Sequence, residues 1–495
     1  MVSFLKRRSV FLLCLAVVLC QSCTSNQPQI QTAAEQSKTA EQPAVQPAER
    51  SNIVAEIGDH VITTEDLEKR IIDKLRPSPV MTADLNQPVK PKDVLMEMIT
   101  EKAMITEARN LNLLDNKDVQ KKRNEFKNDL LLKLLAATYL TGKINITDLE
   151  IQEKMKANPG LDKAKAAVML KREKTAKLTD EFYNDSKEKL HVRKLTENFP
   201  RAAQIHQKLL DESSASDGIK FIKIKQIENL TQEEKNLVLV TFDGGEINLG
   251  DLFAALHEIS PPTRPKNLST PAGIDQFLEQ RLMKKPILIA AAKFYGFEKN
   301  ETLLKQLKLW DEKTLLEEII GKTVYVPNEP NDKEVLAYFN KHRKDFATPK
   351  SLKIDQIWCQ DYKTAKIVKD RLAAGKDFDS LKQEYSLDKK TVPVDVSANT
   401  EKMFFPDIWT GEPNTIIGPI KGLHQNRVTW RIVKILEKNQ GRWQKYDEET
   451  MNSSIRYKMW EEQKEIILAA YKKQIIKKYP YRIYPEKIKN PLDIS

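Results

Sequence analysis

The stretch SLKIDQIWCQDYKTAKIVKDRLAAGKDFDSLKQEYS, residues 351–386, reads as a short strand, a turn, a basic amphipathic helix and a second short helix opening at Phe378. The alternation of a half-buried strand gives way to helical spacing. The start of this unit occurs twice in the chain. LHVRKLTENFPRAAQIHQKLL from Leu190 lies on LKIDQIWCQDYKTAKIVKDRL from Leu352 without gaps, which sets Ala203 on Ala365, Ile205 on Ile367 and Leu210 on Leu372.

Working outward, the repetition extends to what precedes each unit. VAEIGDHVITTEDLEKRI, residues 54–71, is echoed by LVTFDGGEINLGDLFAAL from Leu239, each a strand, a turn, a second strand and the start of a helix. Ile99, Met104, Ile105, Ala108 and Leu113 recur as Met283, Leu288, Ile289, Ala292 and Phe297. A capping box at Thr147 and Glu150 recurs as Asn331 and Glu334. The last two matches share one offset, 283 − 99 = 184 and 331 − 147 = 184. Two copies of a helical module are therefore expected, at 51–189 and 237–349. The first would be followed by a truncated strand-helix unit at 190–236 and the second by a full one at 350–438. Pro286 should kink the second copy's helix. At the C-terminal end, 439–495, Ile455, Met459, Ile466, Ile467, Tyr471 and Ile475 make one apolar stripe with basic residues opposite. YRIYPEKI after Pro480 reads as a strand closing onto the helical module. With 15 glycines against 31% charged residues, the expected class is α+β and mostly helical.

At the other end, Lys6, Arg7 and Arg8 precede an apolar run from Val10 to Cys20, too short for the roughly 20 residues that span a bilayer. It reads as a secretion signal over 1–22, and Ser22 followed by Cys23 has the look of a lipidation site, although Cys20 stands where a leucine is usual. Residues 23–50 are rich in Gln, Ala, Pro, Ser and Thr, so they bury too little surface to fold and read as a disordered tether. Only Cys359 is left in the body of the chain, and one thiol makes no internal bridge. The six histidines are scattered, with no HExxH and no Cys/His spacing, so no metal or cofactor is expected. Formal charge is +11, or +8 without the three basic residues of the signal (11 − 3). Export argues against nucleic acid as a partner, and lysines alternating with glutamates suit solvated helix faces.

The order of helical module, strand-helix unit and long C-terminal helix resembles SurA- and PrsA-type extracytoplasmic chaperones, whose isomerase domain is a parvulin of the PpiC type. GKDFDSLKQEYSLD looks like the parvulin helix that leads into the active-site loop. VDVS at 394–397 stands where that family has a Gly-Asp-Leu-Gly turn, Gly418, Pro419 and Ile420 look like its Gly-Pro-Val, and WRIVKI from Trp430 looks like its last strand. The resemblance runs from about Asn52 onward.

The barrier to turning an X-Pro bond, about 20 kcal/mol, comes from amide resonance. A catalyst must hold the ring in an apolar pocket and favour the twisted amide; no nucleophile is required. Parvulins set that pocket beside a hydrogen-bonded pair of histidines and a Cys or Asp. By resemblance, Asp388 takes the Cys/Asp position, Gln356 replaces the first histidine and Arg431 the second. Phe404, Met403, Val396 and Trp409 would contact substrate. An ion pair between Asp388 and Arg431 would replace the lost network; His191 and His424 read as incidental.

The resemblance thus implies an envelope lipoprotein, on the periplasmic face of a membrane in a Gram-negative cell, that binds unfolded or extended polypeptide clients as a chaperone or foldase. Met- and Leu-rich helices such as VLMEMITEKAMI and RLMKKPILIAAA would supply adaptable apolar surface, although most of these residues are expected to pack inside the two modules. Two alternatives stand beside it: an active prolyl isomerase that works without histidines, and a non-catalytic accessory that docks one dedicated envelope or secretion partner.

Overall fold

The computed structural model describes residues 52–77, 87–140, 142–213, 215–216, 219–324 and 329–494. The signal, Cys23 and the tether lie outside the described residues. The first copy of the module opens on a hairpin, β1 (Ile53–Ile57) and β2 (His60–Thr63), turned at Gly58 with φ +55°, where an L side chain would be strained. Thr63 and Asp66 cap each other's backbone and start α1 (Thr64–Leu75), which buries Leu67, Ile71 and Leu75 at a spacing of four. Next come α2 (Pro91–Asn110), a 3₁₀ turn at Leu113–Asp115, α3 (Lys117–Leu140), α4 (Asp148–Ala157), α5 (Lys163–Lys189), the short β3 (Arg193–Lys194) and a 3₁₀ turn at Thr196–Asn198.

A connector follows: α6 (Phe199–Asp211), the ribbon β4 (Ala215–Ser216) and β5 (Ile219–Lys220), α7 (Ile224–Glu228) and α8 (Gln232–Lys235). The second copy then runs through β6 (Val238–Phe242), β7 (Gly245–Asn248), α9 (Leu249–His257), α10 (Pro271–Phe277), a π-helical turn at Leu278–Leu282, α11 (Lys284–Phe294), a 3₁₀ turn at Phe297–Lys299, α12 (Glu301–Thr323) and α13 (Asp332–Lys341). Pro286 lies in the first turn of α11, where its missing N–H leaves no bond broken, and the helix is disturbed just upstream, in the π turn. The starts of α3 and α12 keep the offset read from sequence, 301 − 117 = 184, and those of α4 and α13 keep it too, 332 − 148 = 184.

Beyond α13 stands a sheet domain: β8 (Ser351–Cys359), α14 (Tyr362–Ala373), α15 (Phe378–Tyr385), β9 (Val394–Ser397), α16 (Ala398–Glu401), a 3₁₀ turn at Lys402–Phe404, α17 (Phe405–Trp409), β10 (Ile416–His424) and β11 (Arg427–Asn439). The chain ends in α18 (Glu448–Lys478), β12 (Tyr481–Ile483) and a 3₁₀ turn at Pro485–Lys487. The ends of α5 and α18 differ by 478 − 189 = 289, and the 3₁₀ turns after β3 and β12 by 485 − 196 = 289. The offset has grown by 289 − 184 = 105 residues between α13 and α18. An insertion therefore splits the second copy at the place where the first has only residues 158–162.

This corrects the reading of 190–236 as a truncated version of 350–438. Arg193 and Lys194 pair antiparallel with Thr241 and Val240, as Arg482 and Ile483 pair with Glu56 and Ala55. The Leu195 N–H donates to the Leu239 carbonyl at 2.9 Å and the Tyr484 N–H to the Val54 carbonyl at 2.9 Å. Thus β3 closes a helical module, and the gapless match to Leu352 reflected only the common strand-helix spacing.

The described residues divide into two compact units, one of 117–311 and one that joins those of 52–116 to those of 312–494. In the first unit the sheet order is β3-β6-β7, over a core that includes Leu131, Leu135, Leu239, Phe253, Ile287 and Leu303. In the second it is β12-β1-β2, over Val54, Leu67, Leu95, Ile99, Met104, Leu315 and Ile319. Leu131 and Leu135 are the counterparts of Leu315 and Ile319 at the offset of 184. Each unit therefore joins the N-terminal half of one copy to the C-terminal half of the other. Phe126 also stacks on Trp310, its own counterpart, with ring centroids 5.8 Å apart; such self-contact marks an isologous pairing. The protein is α+β and mostly helical, as expected, and none of the described helices is long and apolar enough to cross a membrane.

Candidate functional site

The inserted domain is a four-stranded antiparallel sheet in the order β10-β11-β8-β9. The register sets Arg431 opposite Trp358 and Val433 opposite Gln356 on the two central strands. Directly paired residues share a face, so these four side chains look the same way. Along that face Val433, with Leu352, Ile354 and Ile435, packs under Val396, Phe405 and Ile408. On the other face Ile357, Cys359 and Ile432 pack under α14 and α15. Cys359 is sealed there, and burial, with help from Asp361, pushes its thiol up to about 12. It is an inert core residue.

Gln356 and Arg431, far apart in sequence, meet. The Arg431 Nη1 donates to Gln356 Oε1 at 3.0 Å, and the guanidinium forks onto Glu401, with Nη2 to Oε2 at 2.6 Å and Nη1 to Oε1 at 3.3 Å. Its Cζ lies 4.8 Å from the centroid of the Trp358 ring. The Arg431 side chain is fully buried. It fits only because Gly422 of β10 has no side chain, since a Cβ there would come within 2.5 Å of Arg431 Nε. Glu401 arrives at the end of α16, and Lys402 follows with φ +52°, a left-handed conformation costly for a lysine.

Asp388 does not join this cluster. Its carboxylate accepts the Lys390 N–H at 3.1 Å, and its carbonyl accepts the Ser386 hydroxyl at 2.8 Å. The expected Asp388–Arg431 ion pair is replaced by Glu401–Arg431, because α16 brings a carboxylate nearer. Asp388 acts instead on His424, whose ring lies 4.9 Å from that of Trp358. Burial lowers the His424 pKa and the Arg427 charge adds to this, while Asp388 opposes.

The four expected substrate contacts do not line one crevice. Phe404 is 3% exposed and, with Met403, Leu423 and Val428, packs into the core that holds Leu468 of α18 and the α1–α2 side chains. Val396 is buried beneath the sheet, and Trp409 lies against Phe405 with Lys350 and Lys438 over its ring. A surface cleft of about 820 Å³ belongs to the 117–311 unit, along α6, where Pro200, Ala203 and Pro271 lie among polar side chains such as Gln204, Gln207 and Lys208. Among the described residues no cluster of His, Cys, Asp and Glu could hold a metal ion.

A family model described as "PPIC-type PPIASE domain" matches residues 330–449. The match takes in the whole of the inserted sheet domain, which is therefore of the parvulin type. Among similar proteins, a parvulin-like PPIase of Rickettsia typhi is 22% identical over 232 residues, 44% of this chain and 80% of that one. One of Rickettsia conorii is 23% identical over the same shares. Of solved structures, one from work on two SurA-like chaperones of Campylobacter jejuni is 18% identical, over 49% of this chain and 97% of the other, with a TM-score of 0.21. PrsA of Bacillus anthracis is 20% identical, over 41% and 82%, also at 0.21.

Within the parvulin-type domain, sequence reasoning named Gln356 and Arg431 but missed Glu401, Trp358 and Gly422. It also missed Lys382, whose buried ammonium reaches Asp355 at 2.5 Å and the Thr391 carbonyl at 2.6 Å, tying α15 and the following loop to β8. A signal for this last pair was present, since a carboxylate inside a buried strand requires a cation or hydrogen-bond donors. Glu401 carried no such signal. What the cluster can do chemically is hold a fixed charge. A guanidinium, unlike an imidazole, does not change charge near neutral pH, and a bidentate carboxylate leaves it oriented and neutralised.

Proposed function

We propose that the protein is an extracytoplasmic chaperone or foldase for unfolded exported polypeptides, and that its parvulin-type domain has been turned from catalysis to structure. One observation carries the second part: the face where a parvulin presents its histidines is closed by the buried Arg431–Glu401–Gln356 cluster, with Phe404 drawn into the helical core. Proline-ring binding needs an open apolar pocket, and here the pocket side chains are spent on packing. Client binding needs accessible apolar surface and no proton chemistry. Exposed Trp443, Tyr457 and Ile466 in and before α18 are of this kind, large and apolar on a basic helix. An envelope location and lipid anchoring through Cys23 belong to the same proposal and rest on the N-terminal sequence.

The test uses the chain from Thr24 onward. At near-stoichiometric ratios it should slow aggregation of several unrelated unfolded proteins while leaving a proline-limited refolding rate almost unchanged. Rapid isomerisation that falls on Phe404→Ala would show a working active site. Suppression confined to a single partner would favour a dedicated accessory instead.

A further inference from the structure

The exchange of halves raises a question of recognition. The two copies present similar surfaces, so the N-terminal half of the first copy, residues 53–116, could accept its own α3 or the α12 of the second copy. It takes α12. At this contact Lys102 of α2 donates to Glu312 of α12 at 2.6 Å, and Arg109 approaches the same carboxylate at 3.6 Å. Arg109 also donates to His60 Nε2 at 3.2 Å and lies 3.7 Å from Asp59. Glu312 is only 9% exposed and His60 only 7%. Burial lowers the His60 pKa, opposed by Asp59 and Glu312 and aided by Lys102 and Arg109, which favours the neutral imidazole that can accept from Arg109.

The counterparts of these residues in the second copy are different. Lys102 becomes Pro286, Arg109 becomes Lys293, His60 becomes Gly245, and Glu312 in the first copy is Asn128. Pairing each half within its own copy would set Lys102 and Arg109 against Asn128, with no carboxylate between them. It would leave Glu312 with Lys293 alone and without its short Lys102 bond. Buried ions that lose a partner are costly, whereas the matched set costs little. We infer that the polar cluster centred on Glu312 is the specificity element that makes residues 53–116 accept the second copy's α12 and refuse the first copy's α3. It works as a single buried polar residue does in a coiled coil, by penalising the wrong partner.

Cross-strand cysteines can read the choice. In the chain from Thr24, Glu56→Cys with Arg482→Cys joins β1 to β12 and reports the exchanged pairing seen here. Glu56→Cys with Arg193→Cys would join β1 to β3 and reports the unexchanged one. After unfolding, refolding and oxidation, the first pair should close in most chains and the second in few. Adding Glu312→Gln, which keeps the side-chain volume, should raise closure of the Glu56–Arg193 pair about ten-fold, as should Lys102→Met with Glu312→Leu. An unchanged cross-linking pattern in the Glu312→Gln background would overturn the inference, since the connecting segments alone would then decide the pairing.

Discussion

The helical module is built twice, once around residues 158–162 and once around a parvulin-type domain, and the comparison teaches which part is the frame. In both copies the capping box before α4 or its counterpart α13 is complete, with Thr147 and Glu150 in one and Asn331 and Glu334 in the other. In both, a long helix then leads to a strand that closes a three-stranded sheet. The insertion leaves these features unchanged, so the frame of the module is the same with the parvulin-type domain or without it. The inserted domain is tied to that frame: its Phe404 and Val428 are buried in the module's core, and Leu423 packs against them.

The largest expected effect would break this comparison at the inserted domain. Glu401→Ala leaves the Arg431 charge buried without its carboxylate, which should cost about 3–5 kcal/mol. Denaturant unfolding followed by probes in each unit should show the loss in the unit that contains 312–495 while the transition of 117–311 stays in place. A loss shared equally by both would mean that they unfold together. Acid distinguishes them in the other direction. His206 of α6, stacked on Phe253 and bonded to Ser269 Oγ at 2.9 Å, has a pKa lowered to about 4, mainly by burial and also by Arg264. Its unfolded value lies near 6.5, so the unfolded chain takes up the proton first. Stability of the 117–311 unit should therefore be full above about pH 6.5 and decline by roughly 3 kcal/mol as pH falls toward 4. His206→Phe should remove most of this dependence in a pH series of unfolding curves; an unaltered slope would assign it to other groups. The smallest effect sharpens the equivalence of the copies. Thr147→Ala and Asn331→Ala should each cost about 1 kcal/mol. A several-fold larger loss for Asn331→Ala in thermal melts would show that the insertion leans on its module's cap.

The repeat was legible because caps and apolar positions recur at one offset, and these are local matters of helix starts and buried faces. The second offset was hidden: 105 residues interrupt it, and α5 and α18 share length more than pattern. Leu190 and Leu352 matched because any strand followed by an amphipathic helix spaces its leucines in that way. The exchange could not be read at all, since a repeat gives the same pattern whichever copy supplies the partner. At the site, Gln356 and Arg431 were found by resemblance to a strand pair. Glu401 depends on a left-handed Lys402, and the burial of Phe404 on a core assembled from both ends of the chain; neither is a property of neighbouring residues.

That last dependence concerns time as well as structure. Val54 and Ala55 meet their outer strand only at Tyr484 and Ile483, more than 400 residues later, whereas β6 finds β3 within about 50. A chain delivered from its N-terminus exposes the open edge of β1 for nearly the whole of its delivery, while the 117–311 unit has all its parts once α12 has begun. The protein that we propose shelters other unfinished chains is, for most of its own emergence, one of them.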